Sequence, residues 1–403
     1  MAASDSLIGD PAQLPRLLYI GDVSVADTMA GEALLFRLLQ FYQPEQLALV
    51  CGVRPDMPML PGVQYHHWGP AFPRLLYSRV AEEYILWRAW RYYKVPAAIA
   101  RIATRFKPEA ILTISHVSAW LAAWQLAEQR RIPLHVIAHD DLVYSSRFPQ
   151  WSRAWAGRKF GQAYRAAASR FCISDTMADA YQQRFGAAGR VIYPTFKDMA
   201  ETPAINPRSG RPLTFGYGGS LNSASDIDQI VAFARVAGAR GHRVMAYTPQ
   251  HQLLSGRASA AGVSLDARAP IHSDEFKRRC REEADCLLLP QSLEYRDLPL
   301  VSTAFPSKWA DYATLGLPVV VWAPPQSSSA RFVSEHPGCA ALVTSSDPGQ
   351  LAPIFERLER APDYRRDLAE RLLETGRTAF SPQAAWQTFR SAITSTANRT
   401  APV

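Results

Sequence analysis

The chain has 403 residues, of which 48% are hydrophobic and 20% charged, and this length predicts two domains of roughly 150–200 residues each rather than one core. Its five scattered cysteines have no CxxC spacing, which favours a reducing compartment and disfavours a structural metal site. We find no secretory signal and no apolar run of transmembrane length, and the net charge of +8 suits an acidic partner such as a nucleotide, an anionic membrane or a nucleic acid.

The first half of the chain alternates short apolar runs with amphipathic stretches, the pattern of buried parallel strands joined by helices. The predicted strands lie at 17–20, 46–51, 63–67, 110–115, 134–138, 170–174 and 190–193. The predicted helices lie at 29–42, 120–129 and 176–185.

Segment 68–94 interleaves aromatic rings with basic side chains. Its basic residues are Arg74, Arg79, Arg88, Arg91 and Lys94. This mixture suits the interface of an anionic bilayer, where rings lie at headgroup depth and cations meet the lipid charge. The alternative is a core-facing helix whose arginines extend along apolar surface to reach water.

Polar side chains follow two of these strands. His116 follows the strand at 110–115, and His139, Asp140 and Asp141 follow the strand at 134–138. Because ligands of open α/β sheets bind beyond the carboxyl ends of the strands, these residues are candidates for a site. A histidine with a purely structural role is the alternative at each position.

The segment 195–212 has no periodicity and is rich in Pro, Asn, Ser and Arg, so we interpret it as a linker. The same alternation then restarts. Predicted strands lie at 213–217, 244–248, 263–265, 286–290, 319–322 and 338–343, and helices lie at 226–239, at 273–283 and near 349, 363 and 382. The loop 218–220 is not a complete dinucleotide fingerprint, because Leu221 occupies the third glycine position.

The stretch 305–322 predicts a short helix that leads into a buried strand. Pro306 suits a first helical turn, Gly316 suits a left-handed helix end, and an apolar β-branched run follows. Lys308 and Asp311 lie three residues apart on one face of this helix. Such a pair can bind a nucleotide diphosphate, with the cation on the phosphates and the carboxylate on the ribose hydroxyls. The alternative is a solvent-facing ion pair, which the spacing alone favours.

This stretch resembles the donor-binding segment of GT-B glycosyltransferases of the retaining GT4 type, many of which carry Pro-x-Lys-x-x-Glu-Tyr and then Gly-x-Pro-Val-Val. The matching residues are Pro306, Lys308, Asp311, Tyr312, Gly316, Pro318, Val319 and Val320. Asp311 stands in the place of the second Glu of the family's Glu-x7-Glu motif. Thr303 stands where the first Glu belongs, so that half of the motif is absent.

The resemblance implies an α/β protein of the GT-B fold, with two Rossmann-like domains facing a central cleft. We expect an acceptor-binding domain at 1–200, a nucleotide-sugar-binding domain at 213–380, and a last helix at 381–403 that packs back on the first domain. The implied donor-binding residues are Gly218, Gly219, Ser220, Lys308 and Asp311, the implied acceptor-binding residues are Gly31, Glu32 and His116, and the implied catalytic residues are His139 and Asp140.

The function implied is transfer of a sugar from a nucleotide diphosphate sugar to a glycan, a lipid-linked or another acceptor, with retention, no metal and no cofactor. We expect a cytoplasmic enzyme without a nucleic-acid partner, and hypothesise a peripheral position on the inner face of the plasma membrane through 68–94. One alternative is a nucleotide-sugar 2-epimerase of the same fold, which needs an acid/base set that the sequence does not identify. The other is a non-catalytic scaffold, since the first Glu and the family's Arg and Lys after the glycine loop are missing.

Overall fold

The computed structural model describes residues 14–28, 30–69, 72–145, 148–221 and 223–400. By its contacts the chain divides into two compact units, the first comprising 1–194 with 382–403 and the second comprising 195–381. Each unit contains one parallel sheet, and helices connect most of its successive strands. Met29, where the first predicted helix begins, lies outside the described residues, as do 70 and 71 of the aromatic segment.

The sheet of the first unit has seven parallel strands in the order β3-β2-β1-β4-β5-β6-β7. The strands are β1 (Leu17–Ile20), β2 (Leu47–Cys51), β3 (Gln64–His67), β4 (Ala110–Ile114), β5 (Leu134–Ala138), β6 (Ser169–Cys172) and β7 (Arg190–Val191). The five residues of β2, β4 and β5 are all buried, as expected for central strands covered on both faces. The strand order reverses between β1 and β4, and such a switch point opens a crevice at the carboxyl edge.

The described residues of the first unit form eight helices, seven before its last strand and one at the end of the chain. They are α1 (Ala30–Leu39), α2 (Ala81–Tyr92), α3 (Ala97–Phe106), α4 (Ala119–Arg130), α5 (Leu142–Ser145), α6 (Gln150–Ala166), α7 (Asp175–Phe185) and α16 (Pro382–Thr400), with 3-10 turns at Pro44–Gln46 and Pro73–Tyr77. The sequence did not predict α6, whose seventeen residues carry their apolar side chains irregularly.

Helix α16 is the last in the chain and belongs to the first unit by its contacts. The Trp386 ring lies 5.0 Å from the Phe41 ring and 6.0 Å from that of Tyr42, and the Phe389 ring lies 5.4 Å from Phe171. Trp386 is 2% exposed. The first unit therefore draws part of its core from beyond residue 381.

The second unit repeats the strand order with six parallel strands, β10-β9-β8-β11-β12-β13. They are β8 (Thr214–Gly218), β9 (Arg243–Tyr247), β10 (Asp266–Arg268), β11 (Cys286–Pro290), β12 (Val319–Trp322) and β13 (Ala341–Val343). The predicted strand at 263–265 is wrong by three residues. The strand that pairs with β9 begins at Asp266, one residue beyond the predicted run.

The helices that the structure describes in the second unit lie between residues 224 and 379. They are α8 (Ala224–Ala239), α9 (His251–Ala260), α10 (Ser273–Glu283), α11 (Leu298–Val301), α12 (Lys308–Tyr312), α13 (Ser328–Glu335), α14 (Ala352–Arg360) and α15 (Pro362–Ala379), with 3-10 turns at Tyr295–Asp297 and Pro348–Leu351. The predicted α10 has the observed bounds, whereas α9 and α13 were not predicted.

Segment 195–212 has neither helix nor strand, yet it packs on the second unit. The buried Arg365 guanidinium donates to the carbonyls of Asn206 and Arg208 at 2.8 and 3.0 Å. The amides of Ala200 and Ala204 donate to the carbonyls of Thr314 and Gly316. Most of this segment is therefore held by hydrogen bonds to helices of the second unit and to the turn that follows α12.

No helix within the described ranges is both long and apolar enough to cross a membrane. The aromatic segment instead forms the 3-10 turn Pro73–Tyr77 and helix α2. Arg88 on this helix is 4% exposed and its Nη2 lies 2.6 Å from Asp22 Oδ1. Arg88 therefore cannot serve as one of the lipid-facing cations, which corrects that part of the membrane hypothesis.

Candidate functional site

The glycine loop after β8 uses two of its three backbone amides within the protein. The Gly218 amide donates to the Tyr312 hydroxyl at 3.0 Å, and the Gly219 amide donates to the Tyr247 carbonyl at 2.9 Å. This corrects their assignment as phosphate donors, because each N–H group already has an acceptor. The amide of Ser220 has no acceptor within the described ranges and can still donate to a ligand.

Gly219 has a different role, which is to make room for Lys308. Its φ is +131°, a conformation that glycine adopts readily and other residues rarely do. A Cβ atom built there would lie 2.4 Å from Lys308 Cε and 2.8 Å from Lys308 Nζ. The loop and the predicted cation are thus in direct contact, as the sequence interpretation requires.

Lys308 has a cationic group without an ionic partner in the part of the chain that the structure describes. Its Nζ lies 5.2 Å from the centroid of the Tyr217 ring, a favourable cation–π geometry. Burial lowers the pKa of Lys308, while the more distant carboxylates of Asp226 and Asp311 act in the opposite direction. An ammonium group held by a ring and a glycine is available to an anionic ligand.

Asp311 is paired with a residue that the sequence analysis did not identify. Lys277 Nζ, on α10, lies 3.1 Å from Asp311 Oδ1, and the Lys277 side chain is only 15% exposed. Asp311 does not pair with Lys308, so the simple ion pair suggested by their spacing is wrong. The contact joins two residues that are 34 positions apart in the sequence, which no local pattern reveals.

The absent half of the family motif has a structural substitute. Thr303 is 3% exposed and its hydroxyl donates to the carbonyls of Pro299 and Leu300 at 3.3 and 3.2 Å. This side chain completes a helical turn and supplies no charge to the site. The difference from the family pattern is therefore one of chemistry, since a buried hydroxyl stands where the motif has a carboxylate.

The Asp-x-Asp spelling at 226–228 marks a helix start. Asp226 and Ser223 form a reciprocal capping box at the beginning of α8, which stabilises the first turn. Asp228 points elsewhere, to Arg257, with Nε–Oδ1 at 2.7 Å. Among the residues that the structure describes, no cluster of three or more His, Cys, Asp or Glu side chains could hold a metal ion.

In the first unit, three of the predicted residues lie together beyond β5 and at the start of α1. A Cβ built on Gly31 would lie 3.3 Å from the His139 ring, and His139 Nδ1 lies 3.4 Å from Asp140 Oδ2. Burial lowers the pKa of His139, but the Asp140 carboxylate more than offsets this, so the net shift is upward. Burial raises the pKa of Asp140, but the interactions with His139 and His116 lower it by more, so the net shift of the Asp140 pKa is downward.

Glu32 is held by an arginine that the sequence analysis did not name. Arg54 Nη1 and Nη2 lie 3.0 and 2.9 Å from Glu32 Oε1 and Oε2, and the Thr28 hydroxyl donates to Oε2 as well. Burial raises the pKa of Glu32, but these hydrogen bonds lower that pKa by more than burial raises it, so the group is ionised. With both oxygens occupied, Glu32 is placed to orient its neighbours at the start of α1.

The other two carboxylates of this edge are structural. Asp141 is fully buried, and Arg184 Nη1 donates to both its oxygens at 2.9 and 2.8 Å. Asp22, which follows β1, accepts the amides of Ser118 and Ala119 at 2.7 and 2.6 Å and so caps α4. His116 is exposed and lies two residues beyond the end of β4.

The sequence and the fold of the chain can now be compared with those of known proteins. Residues 50–196 match the model of Glycosyltransferase Family 4. Sucrose-phosphate synthase from Thermosynechococcus elongatus is 13% identical with a TM-score of 0.70, over 96% of this chain and 100% of that one. HepE of Anabaena, solved with UDP and glucose, is 14% identical with a TM-score of 0.63, over 94% of this chain and 99% of HepE.

The chain has the GT-B fold, and its residues 50–196 are similar to Glycosyltransferase Family 4. Trehalose 6-phosphate synthase from Burkholderia multivorans, a further similar structure, is 15% identical with a TM-score of 0.68, over 95% of this chain and 99% of that one. A search of curated protein sequences gave no match. The predicted fold class is confirmed, and the family match over residues 50–196 agrees with the predicted resemblance.

Proposed function

We propose that the second unit binds a nucleotide diphosphate sugar and that the enzyme transfers its sugar with retention and without a metal ion. The observation that carries this proposal is Lys308, which packs against Gly219, lies three residues from Asp311 and forms no ion pair among the residues that the structure describes. A half-buried cation without an ion pair among the described residues gains interaction energy when a phosphate takes the place of water.

The donor would be recognised through its diphosphate and through its ribose. Lys308 would contact the phosphates, the Ser220 amide would donate to the same group, and Asp311 would accept from the ribose hydroxyls. One of the similar structures, HepE, was solved in complex with UDP-glucose, which makes uridine diphosphate the first nucleotide to test. Leaving-group charge that develops in the transition state would fall on Lys308 rather than on a metal.

In the first unit, His139 and Asp140 would contact the transferred sugar or the acceptor. Gly31 supports this role, because its missing side chain leaves the start of α1 open beside the His139 ring. His116 would add a contact from the end of β4. Glu32, with both oxygens engaged by Arg54, would position this region. The acceptor would be a glycan, a lipid-linked molecule or a similar hydroxyl compound, in a cytoplasmic setting.

The experiment is calorimetric binding of UDP, GDP, ADP and their sugars to the full chain, followed by turnover of the donor that binds. Lys308→Ala should cost on the order of 2–4 kcal/mol of transition-state stabilisation. Lys197→Ala, which removes an exposed lysine of the same unit, should leave turnover within a few fold. Treatment with EDTA should leave the wild-type rate unchanged.

Three results would contradict the proposal in different ways. Near-normal turnover of a folded Lys308→Ala variant at saturating donor would remove the phosphate assignment. Activity that EDTA abolishes and Mg²⁺ or Mn²⁺ restores would mean that a metal carries the diphosphate charge. Binding of nucleotide without transfer would favour the scaffold, and conversion of the donor to its 2-epimer would favour the epimerase.

A further inference from the structure

Helix α2 and the residues that flank it in sequence expose aromatic rings that the core does not use. The exposed fractions are 58% for Phe72, 39% for Trp87, 71% for Trp90 and 38% for Tyr93. We call these four residues the aromatic surface. The opposite side of the helix is buried through Tyr84, Ile85 and Arg88. The helix is therefore anchored on one side and presents rings to its surroundings on the other.

Cations accompany these rings. Arg91 lies over the Trp87 ring at 5.0 Å, and Lys159 of α6 lies over the Tyr93 ring at 5.2 Å. Between residues 73 and 107 there are eight Arg or Lys and two Glu, while α6 has four Arg or Lys and no acidic residue. These two stretches together are more positive than the chain as a whole, whose net charge is +8.

The inner side of α2 fixes where the aromatic surface lies. Arg88 pairs with Asp22, and Asp22 accepts the amides that begin α4. Both Asp22 and α4 adjoin the carboxyl ends of β1 and β4, where His116 lies. The helix that carries the exposed rings is consequently tied to the edge of the sheet assigned to the acceptor.

We propose that the aromatic surface and its surrounding cations dock the first unit on an anionic lipid bilayer. Rings of this kind are stable at headgroup depth, where their faces meet acyl chains and their polar edges meet water. Arg74, Arg79 and Arg91 are exposed and would each meet the negative surface potential. Charge complementarity thus selects lipid over a second copy of this chain, whose matching surface would carry the same positive charge.

Docking goes beyond the proposed donor chemistry and does not depend on it. It also suggests the class of acceptor, a molecule held in the membrane by a lipid tail, and only this suggestion rests on the proposed function. Vesicle binding needs neither donor nor turnover, so a failure of sugar transfer and a failure of docking are separable results.

The test is co-sedimentation of the full chain with phosphatidylcholine vesicles that contain or lack phosphatidylglycerol, at low and at high salt. Replacement of Arg74, Arg79 and Arg91 by Gln should weaken binding to the anionic vesicles on the order of a hundredfold at low salt, about fivefold for each cation. The matched control replaces Arg208, Arg235 and Arg371, three exposed arginines of the second unit, and should change binding only a few fold.

A second pair of variants tests the rings. Trp87→Ser with Trp90→Ser should abolish the binding that remains at high salt, because salt screens the charges and leaves the apolar contribution. Leu253→Ser, which removes a side chain 61% exposed on the second unit, should have no effect. Circular dichroism and nucleotide binding should be those of the wild type in every variant.

Binding that ignores lipid charge, or that survives both sets of replacements, would overturn the proposal. A change of oligomeric state in light scattering, without a change in vesicle binding, would overturn it as well and would make the aromatic surface an interface between copies of the chain.

Discussion

At Asp311 the contact with Lys277 explains how an aspartate can replace the longer glutamate of the family pattern. Lys277 Nζ lies 3.1 Å from Oδ1, which leaves Oδ2 to accept from a ribose hydroxyl. The shorter side chain has fewer rotamers, and the lysine restricts it further, so less entropy is lost on binding. Lys277 is thus a positioning residue in our interpretation.

Lys277→Met should weaken nucleotide diphosphate binding on the order of tenfold, the loss typical of one hydrogen bond to a charged group. The same substitution should have little effect on a 2′,3′-dideoxynucleotide, which lacks the hydroxyls that Asp311 would bind. Lys277→Arg should restore most of the affinity, and Lys197→Met should be neutral. Equal losses for the ribose and dideoxyribose ligands in calorimetry would show that Lys277 acts elsewhere.

The His139–Asp140 pair makes the stability of the first unit depend on pH. The raised pKa of His139 contributes stability below its ordinary value of 6.5 and loses it as the pH rises through the raised value. The lowered pKa of Asp140 contributes above its ordinary value of 3.8 and is lost as the pH falls through the lowered value. The contribution is therefore greatest between these two ordinary values.

Asp140→Asn should reduce the free energy of unfolding by about 1 kcal/mol near pH 5 and by much less at pH 8. Urea unfolding at a series of pH values measures this difference, with Glu45→Gln as the control at an exposed, unpaired carboxylate of the same unit. A difference that is constant from pH 5 to pH 8 would mean that His139 does not titrate against Asp140.

Among the elements, the glycine loop after β8 shows how backbone conformation and a side chain can be fitted to each other. Gly219 combines a φ of +131° with the close approach of Lys308, so a side chain there would be strained and would also displace the cation. Gly262 has a φ of +66° and nothing within 4 Å of its would-be Cβ. The two positions share an unfavourable conformation and differ in what surrounds them.

Gly219→Ala should cost roughly 1–3 kcal/mol of stability and should also weaken nucleotide diphosphate binding to about the level of Lys308→Ala. Gly262→Ala should cost about 1 kcal/mol and leave nucleotide affinity unchanged. Denaturant unfolding and calorimetry on the two variants separate strain from displacement. Normal nucleotide affinity in a folded Gly219→Ala variant would show that Lys308 does not need its present position.

The sequence predicted most strands because buried parallel strands are continuous apolar runs, and β1, β5, β11 and β12 have the expected bounds. It failed for β10, whose three residues include the charged Asp266 and Arg268 and are half-buried at the sheet edge. The position of Lys308 and Asp311 on one short helix was predictable because the motif is local, while their role in binding stays a prediction. Lys277 and Arg54 could not be predicted, because each is brought to its carboxylate by packing between distant elements.

For the whole molecule, the division into units does not follow the order of the sequence. The second unit is one continuous segment, 195–381, while the first unit needs α16 from the end of the chain. The contacts described for Trp386 and Phe389 are with rings of the first unit. A defect in α16 should therefore destabilise β6 and α1, more than 200 residues away in sequence, before it affects the residues of the second unit that we propose to bind the donor.

Trp386→Ala should remove about 3–5 kcal/mol from the stability of the first unit, the usual cost of deleting a buried indole. Amide hydrogen exchange should then rise in β1 to β7 and stay low in β8 to β13, with nucleotide diphosphate affinity unchanged. Trp322→Ala is the matched control, because Trp322 is 1% exposed in β12 and its loss should give the reverse pattern. If Trp386→Ala raised exchange equally in both sheets, the two units would unfold as one, and the division of the chain by contacts would not describe its stability.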